Sequence, residues 1–155
     1  MKRRHVLVGF VIAAVVGLGA FGLLARRSVT FESADADEAL RRFSRIRDGF
    51  SRSDPILHVD ESGHMVRSAA PVLESSPAKT FHVLAYRAAE HRLVAADVPF
   101  WFLKGKAPAV RFALRGTGLD LERLGMTPGE LERYGAALIL DENAASGDRL
   151  LIWTK

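Results

Sequence analysis

The chain has 155 residues, no cysteine, and 22 Lys and Arg against 18 Asp and Glu, for a formal net charge of +4. Without cysteine, disulfides, thiolate catalysis and Cys-ligated zinc or iron–sulfur sites are excluded. Five of the basic residues flank one apolar stretch. The rest of the chain has 17 basic and 18 acidic residues, so it lacks the excess of positive charge that is typical of nucleic-acid-binding proteins.

The apolar stretch runs from Val6 to Ala25, after a basic tail at residues 1–5, and contains no charged residue. Twenty residues of helix span about 30 Å, the thickness of the hydrocarbon core. With basic residues on both flanks, the pattern predicts a single transmembrane helix acting as a signal anchor. The alternatives are a cleaved signal peptide, whose apolar region is normally about 7–15 residues, and a buried core helix.

The orientation of this anchor follows from two opposed arguments. More Lys and Arg lie within twenty residues after the stretch than before it, which favours a cytoplasmic carboxyl side, but large domains cross largely regardless of charge. We expect a cytoplasmic amino terminus and a domain on the outer side. Gly9, Ala13 and Gly17 recur every fourth residue, a spacing that lets two membrane helices pack closely.

Residues 26–34 are predicted to be a linker and residues 35–155 a single domain. Asp35 to Phe50 has the periodicity of an amphipathic helix, with acidic residues in its first turn and arginines later. The apolar stripe predicted to face the core consists of Ala36, Leu40, Phe43, Ile46 and Phe50.

Two β-hairpins are predicted next. The first pairs Ile56–Asp60 with His64–Arg67 around a turn containing Gly63, and the second pairs Thr80–Arg87 with Arg92–Val98. A helix through residues 85–96 is the alternative to the second hairpin, since alanine-rich segments favour helices.

The aromatic run Pro99–Leu103 predicts a central strand covered on both faces, with an aromatic membrane wedge beside the anchor as the alternative. Helices are predicted over residues 109–115 and 119–124. Thr127 and Glu130 form a capping box with Pro128 at the first helical position. Strands 136–142 and 149–154 complete an α+β fold, in which one transmembrane helix precedes a small domain with an antiparallel sheet and packed helices.

The candidate site residues are histidines and one carboxylate. His58 and Asp60 share a face of the first hairpin, His64 lies across its turn, and His82 starts the second hairpin. Imidazoles with a carboxylate are ligands that suit zinc, and these four are weak candidates for a metal site. The chain has no HExxH motif and no Gly-x-Ser-x-Gly motif. No catalytic residue and no cofactor is predicted.

The functional prediction is a single-pass membrane protein with a non-enzymatic cell-envelope domain. Besides the lipid bilayer, its expected partner is another envelope protein or a small ligand, and no nucleic acid is expected. One alternative is a small metal-dependent or hydrolytic enzyme that uses the hairpin of His58, Asp60 and His64. Another is an anchored assembly factor that forms a homodimer through the transmembrane helix.

Overall fold

The computed structural model describes residues 29–51, 53–60, 64–68, 76–105, 117, 119 and 121–155. They form a small α+β domain on a mixed sheet of seven strands. The strands are β1 (Val29–Ser33), β2 (Leu57–Val59), β3 (Met65–Arg67), β4 (Thr80–Arg87), β5 (Arg92–Pro99), β6 (Ala137–Asn143) and β7 (Arg149–Thr154). Their order across the sheet is β1-β5-β4-β7-β6-β2-β3. The helices are α1 (Ala36–Asp48), α2 (Phe100–Leu103) and α3 (Pro128–Arg133), with 3-10 turns at Ala88–Glu90 and Leu121–Leu124. The predicted α+β class is confirmed.

The first strand lies in the part of the chain that the sequence assigned to a linker. Val29–Ser33 pair antiparallel with β5, in a register that runs from Val29 opposite Ala96 to Ser33 opposite Arg92. The segment Val6–Ala25 lies outside the described residues. Within them, no helix is long and apolar enough to cross a membrane.

The sheet is not purely antiparallel, which corrects the expectation from the sequence. Strand β2 runs parallel to β6, with Leu57 opposite Leu140, and every other pairing is antiparallel. Parallel pairing requires a crossover, usually through a helix. After β1, α1 returns the chain across the sheet, so β2 runs in the same direction as β1. The antiparallel pairings from β1 to β6 give β6 that direction too, and β2 is therefore parallel to β6.

One face of the sheet, here called the α1 face, is covered by α1. The helix begins at Asp35, whose side chain accepts a hydrogen bond from the Glu38 backbone N–H at 2.7 Å. Ala39 and Phe43 are buried against a group of sheet residues, whereas the predicted stripe residue Leu40 is 52% exposed. Ala36 of the predicted stripe is exposed as well. The stripe that packs on the sheet is therefore Ala39 and Phe43, which are buried, with the partly buried Ile46, spaced i, i+4 and i+7. The sheet residues beneath it are Leu84, Tyr86, Leu93, Leu138 and Leu151.

The opposite face is packed against α2, α3 and the second 3-10 turn. Here the predicted central strand Pro99–Leu103 is wrong, because only Pro99 belongs to the sheet and the next four residues form α2. Pro99 pairs with Thr80, the first residue of β4, so the run beyond it has no partner strand. It turns into one helical turn instead, and Phe100 packs edge-to-face on Phe81 with ring centroids 6.3 Å apart.

The strongest local predictions are confirmed. Strands β2 and β3 form the first hairpin, β4 and β5 the second, and β6 pairs with β7, so the alternative helix through residues 85–96 is wrong. His91 adopts a left-handed backbone conformation, with φ of 46°, at the turn between β4 and β5. The capping box of α3 is present, with Thr127 Oγ1 accepting from Glu130 N and Glu130 Oε2 accepting from Thr127 N. The predicted helix over residues 109–115 lies outside the described residues.

The two ends of the sheet differ in what they carry. The proximal end is defined here as the end at which β1 and β4 begin and β5 and β7 finish, marked by Val29, Thr80, Pro99 and Thr154. The chain enters the domain at this end, and α2 follows directly. The distal end carries the turns at residues 88–91 and 144–148.

Candidate functional site

The outer edge of β1 is open within the part of the chain that the structure describes. Strand β1 is the first strand of the sheet and pairs with β5 on one side only. In an edge strand the N–H and C=O groups that face outward lack partners and can pair with another extended chain. Five residues extend about 17 Å, which is long enough to accept a short added strand.

The side chains of β1 alternate between the two faces of the sheet. Glu32 contacts Arg42 of α1, with Glu32 Oε2 and Arg42 Nη2 2.5 Å apart, so Glu32 lies on the α1 face. Phe31 therefore lies on the opposite face, where 56% of it is exposed. Val29, on the same face, packs against the core. A large aromatic side chain next to unpaired backbone groups is what a strand-adding partner would contact.

The histidine hairpin holds its polar side chains near the surface. Asp60 Oδ1 accepts a hydrogen bond from His64 N at 2.9 Å and lies 3.9 Å from His64 Nδ1. The His64 side chain is 81% exposed. His58 Nδ1 lies 3.4 Å from Ser68 Oγ. Among the described residues, no group of three or more potential ligands that could hold a metal ion is present; the alternative enzymatic hypothesis stays a prediction.

His82 is not brought to that hairpin. It lies on β4, and β7 and β6 stand between β4 and β2, a separation of about 14 Å at ordinary strand spacing. Its ring stacks on Trp153 with centroids 4.9 Å apart and planes 5° apart. His82 Nδ1 lies 2.5 Å from Asp97 Oδ1 on the neighbouring strand. Such a cross-strand pair orients the imidazole and stabilises the sheet locally.

A cavity of about 170 Å³ lies at the distal end, on the face opposite α1. Its wall includes Arg123, Glu142 and Asp148, and Asp148 Oδ2 lies 3.6 Å from Arg87 Nη1. Pockets for drug-sized ligands measure about 300–1,000 Å³. This cavity suits a few water molecules or a small ion, and the β1 edge offers the more extended binding surface.

The β1 edge does not stand out in the sequence. The sequence feature that indicates a strand here is the alternation of apolar and polar residues in Val29-Thr-Phe-Glu-Ser33, which is typical of a half-buried strand. Because the segment lies directly after the long apolar stretch, the sequence predicts a linker there. The predicted packing residues Gly9, Ala13 and Gly17 lie outside the described residues.

Comparisons of the chain with protein-family models, with curated proteins and with solved structures found no match. Any function must therefore be argued from the residues themselves.

Proposed function

We propose that the protein is a single-pass membrane-anchored interaction domain of the cell envelope that binds an extended segment of another protein along the outer edge of β1. The anchor is the transmembrane helix predicted over Val6–Ala25, with the amino terminus in the cytoplasm and the domain on the outer side. The observation that carries the proposal is the edge of β1, which no other described strand covers, with Phe31 56% exposed.

The chemistry of this edge supports strand addition. Main-chain hydrogen bonds to an added strand supply affinity, and pockets for alternate side chains supply specificity. Phe31 is the only large apolar side chain of β1 that stays exposed, so it would provide the main side-chain contact. Glu32 already forms an ion pair with Arg42, so it adds no unpaired charge next to the contact made by Phe31.

A second copy of the chain fits this edge less well than a different protein does. Two β1 strands paired antiparallel around a two-fold axis would enter the joined sheet from opposite ends. Only residues 26–28 separate β1 from the apolar stretch, so the two anchors would leave in opposite directions. A partner segment without such a tether has no constraint of this kind.

Site-specific photocrosslinking in membranes tests the proposal. Benzoylphenylalanine replaces Thr30 on the β1 edge or, as the matched control, Val66 on the opposite edge of the sheet, in the full chain expressed from its native gene. We expect an adduct with a different protein from position 30, at least fivefold stronger than from position 66. Phe31→Lys should remove that adduct. Equal adducts from both positions, or an adduct only between two copies of the chain, would overturn the proposal.

A further inference from the structure

We infer that the proximal end of the domain lies against an anionic lipid surface, with Trp101 in the headgroup region and Lys79 and Lys155 beside it. This inference rests on the proposed membrane anchor and adds to it a lipid-binding face of the domain itself. Three features support it: the short connection to the apolar stretch, the exposure of one aromatic side chain and the exposed lysines beside it.

The connection to the apolar stretch is short. Ala25 ends the stretch and Val29 begins β1, so Arg26, Arg27 and Ser28 are the only residues between them. Four residue steps reach at most about 14 Å in a fully extended chain. Since β1 begins at the proximal end, this end of the sheet cannot move far from the membrane surface that the anchor reaches.

Trp101 is the exposed member of an otherwise buried helix. Phe100, Phe102 and Leu103 are buried in the core, while Trp101 is 62% exposed. It packs edge-to-face on Phe102 with ring centroids 5.9 Å apart. Tryptophan is enriched where one side of a ring is apolar and the other is wet, as at the membrane interface. Helix α2 follows Pro99 directly and therefore places Trp101 at the proximal end.

Two lysines lie beside α2. Lys79 accepts a backbone hydrogen bond from Phe100 at 3.0 Å and donates one to the Lys155 carbonyl at 2.6 Å, so the three residues adjoin. Lys79 and Lys155 are exposed, and neither forms an ion pair with another described residue. Ammonium groups of this kind are attracted to the anionic headgroups of a membrane surface.

Two acidic side chains near α2 have partners. Glu132 lies 2.5 Å from Lys104, and Asp97 lies 2.5 Å from His82. The connecting segment adds two further basic residues, Arg26 and Arg27, next to the apolar stretch.

The distal end has the opposite character. Within the described part of the chain, the exposed large apolar residues are Phe31, Leu40, Val66 and Trp101, and none belongs to the distal turns. Two ion pairs lie there, Arg92 with Glu90 at 2.6 Å and Arg87 with Asp148 at 3.6 Å. Of the two ends, the proximal end is therefore the one at which an exposed indole lies beside exposed lysines.

Fluorescence quenching by brominated lipids tests this orientation on the full chain in vesicles of phosphatidylcholine and phosphatidylglycerol. The chain has two tryptophans, so Trp153→Phe leaves Trp101 as the single reporter. The matched control combines Trp101→Phe and Trp153→Phe with Ala89→Trp, which places the reporter in a distal turn. We expect bromines near the headgroups to lower Trp101 emission at least twofold and to leave the distal reporter unchanged.

Two further measurements separate the possible failures. Extraction of the vesicles at alkaline pH reports the anchor: a chain that washes out contradicts the proposed function. A chain that stays inserted while Trp101 is quenched no more than the distal reporter overturns the present inference alone. The double variant Lys79→Glu and Lys155→Glu should reduce the quenching of Trp101 in vesicles with phosphatidylglycerol and not in phosphatidylcholine alone. Equal quenching with and without this charge reversal would overturn the role of the anionic lipid.

Discussion

The two edges of the sheet differ in length, in charge and in the elements beside them. Strand β3 has three residues, and Arg67 at its end lies 3.7 Å from Glu130 of α3. Strand β1 has five residues, and its one charged side chain, Glu32, forms an ion pair with Arg42 on the α1 face. Natural sheets protect their edges with short strands and charged residues. Each edge carries one charged residue in an ion pair, but β3 is also short, whereas the longer β1 presents the exposed ring of Phe31. This difference supports the proposal that β1 is the binding edge.

The largest expected effect comes from removing the packing that holds α1 beside β1. Phe43 is 2% exposed and contacts the sheet, and the guanidinium of Arg149 lies 4.9 Å from its ring centroid. Phe43→Ala should lower the free energy of unfolding by about 3–5 kcal/mol and weaken the β1 edge with the rest of the domain. Denaturant unfolding of the detergent-solubilised full chain measures this. Leu40→Ala, on the exposed side of α1, is the control and should change stability by less than about 0.5 kcal/mol.

A smaller effect is expected from a charge placed on one edge at a time. Phe31→Lys should reduce partner binding at least tenfold, because a lysine cannot fill an apolar contact and protects an edge strand. Stability should change by less than about 1 kcal/mol because the side chain is already largely exposed. Quantitative crosslinking from position 30 measures the binding. Val66→Lys on the β3 edge should leave it unchanged, and an equal loss in both variants would remove the distinction between the edges.

The ion pair of the β1 edge should contribute less still. Glu32 and Arg42 have half-exposed side chains, and exposed pairs are worth about 0–1 kcal/mol in water. Glu32→Gln should therefore lower stability by less than about 0.5 kcal/mol, with the loss vanishing at high salt. Thermal unfolding at low and high ionic strength tests it. A large loss that persists at high salt would show that Glu32 holds β1 in place by packing and not by charge.

The smallest effect is a pH dependence near the β3 edge. The backbone N–H of Thr127, then its hydroxyl, hold the pKa of Glu130 below its ordinary value of 4.5, and Arg67 adds to this shift. A lowered pKa in the folded state stabilises the fold above pH 4.5, and this contribution is lost as pH falls through the folded pKa. Glu130→Gln should thus flatten the fall in stability at acidic pH without changing binding at β1. Acid titration of both proteins by circular dichroism measures the slope, and an unchanged slope contradicts the assignment.

The sequence predicted those features whose determinants are neighbours in the chain. The capping box of Thr127 and Glu130, the amino end of α1 and the tight hairpin of β4 and β5 each depend on residues a few positions apart. The parallel pairing of Leu57 with Leu140 depends on residues far apart in sequence, and no local pattern specifies it.

The candidate site was hidden for the same reason. Whether a strand lies at an edge is a property of the order of all strands, so the openness of β1 could not be read from its five residues. The exposure of Trp101 could not be predicted, because an aromatic run resembles a buried strand. The run leaves the sheet after Pro99 because β4 begins at Thr80, opposite Pro99, and offers no partner beyond it. The histidines stand out in the sequence, but His82 lies three strands from His58.

Amide hydrogen exchange tests the central claim most directly, because it reads the backbone of both edges in one experiment. The full chain is isolated from gently solubilised membranes with its bound protein, and again after high salt has removed that protein. We predict that the amides of β1 exchange at least tenfold more slowly in the complex, while those of β3 exchange at the same rate in both samples. Unchanged exchange at β1, or equal slowing at both edges, would contradict the account.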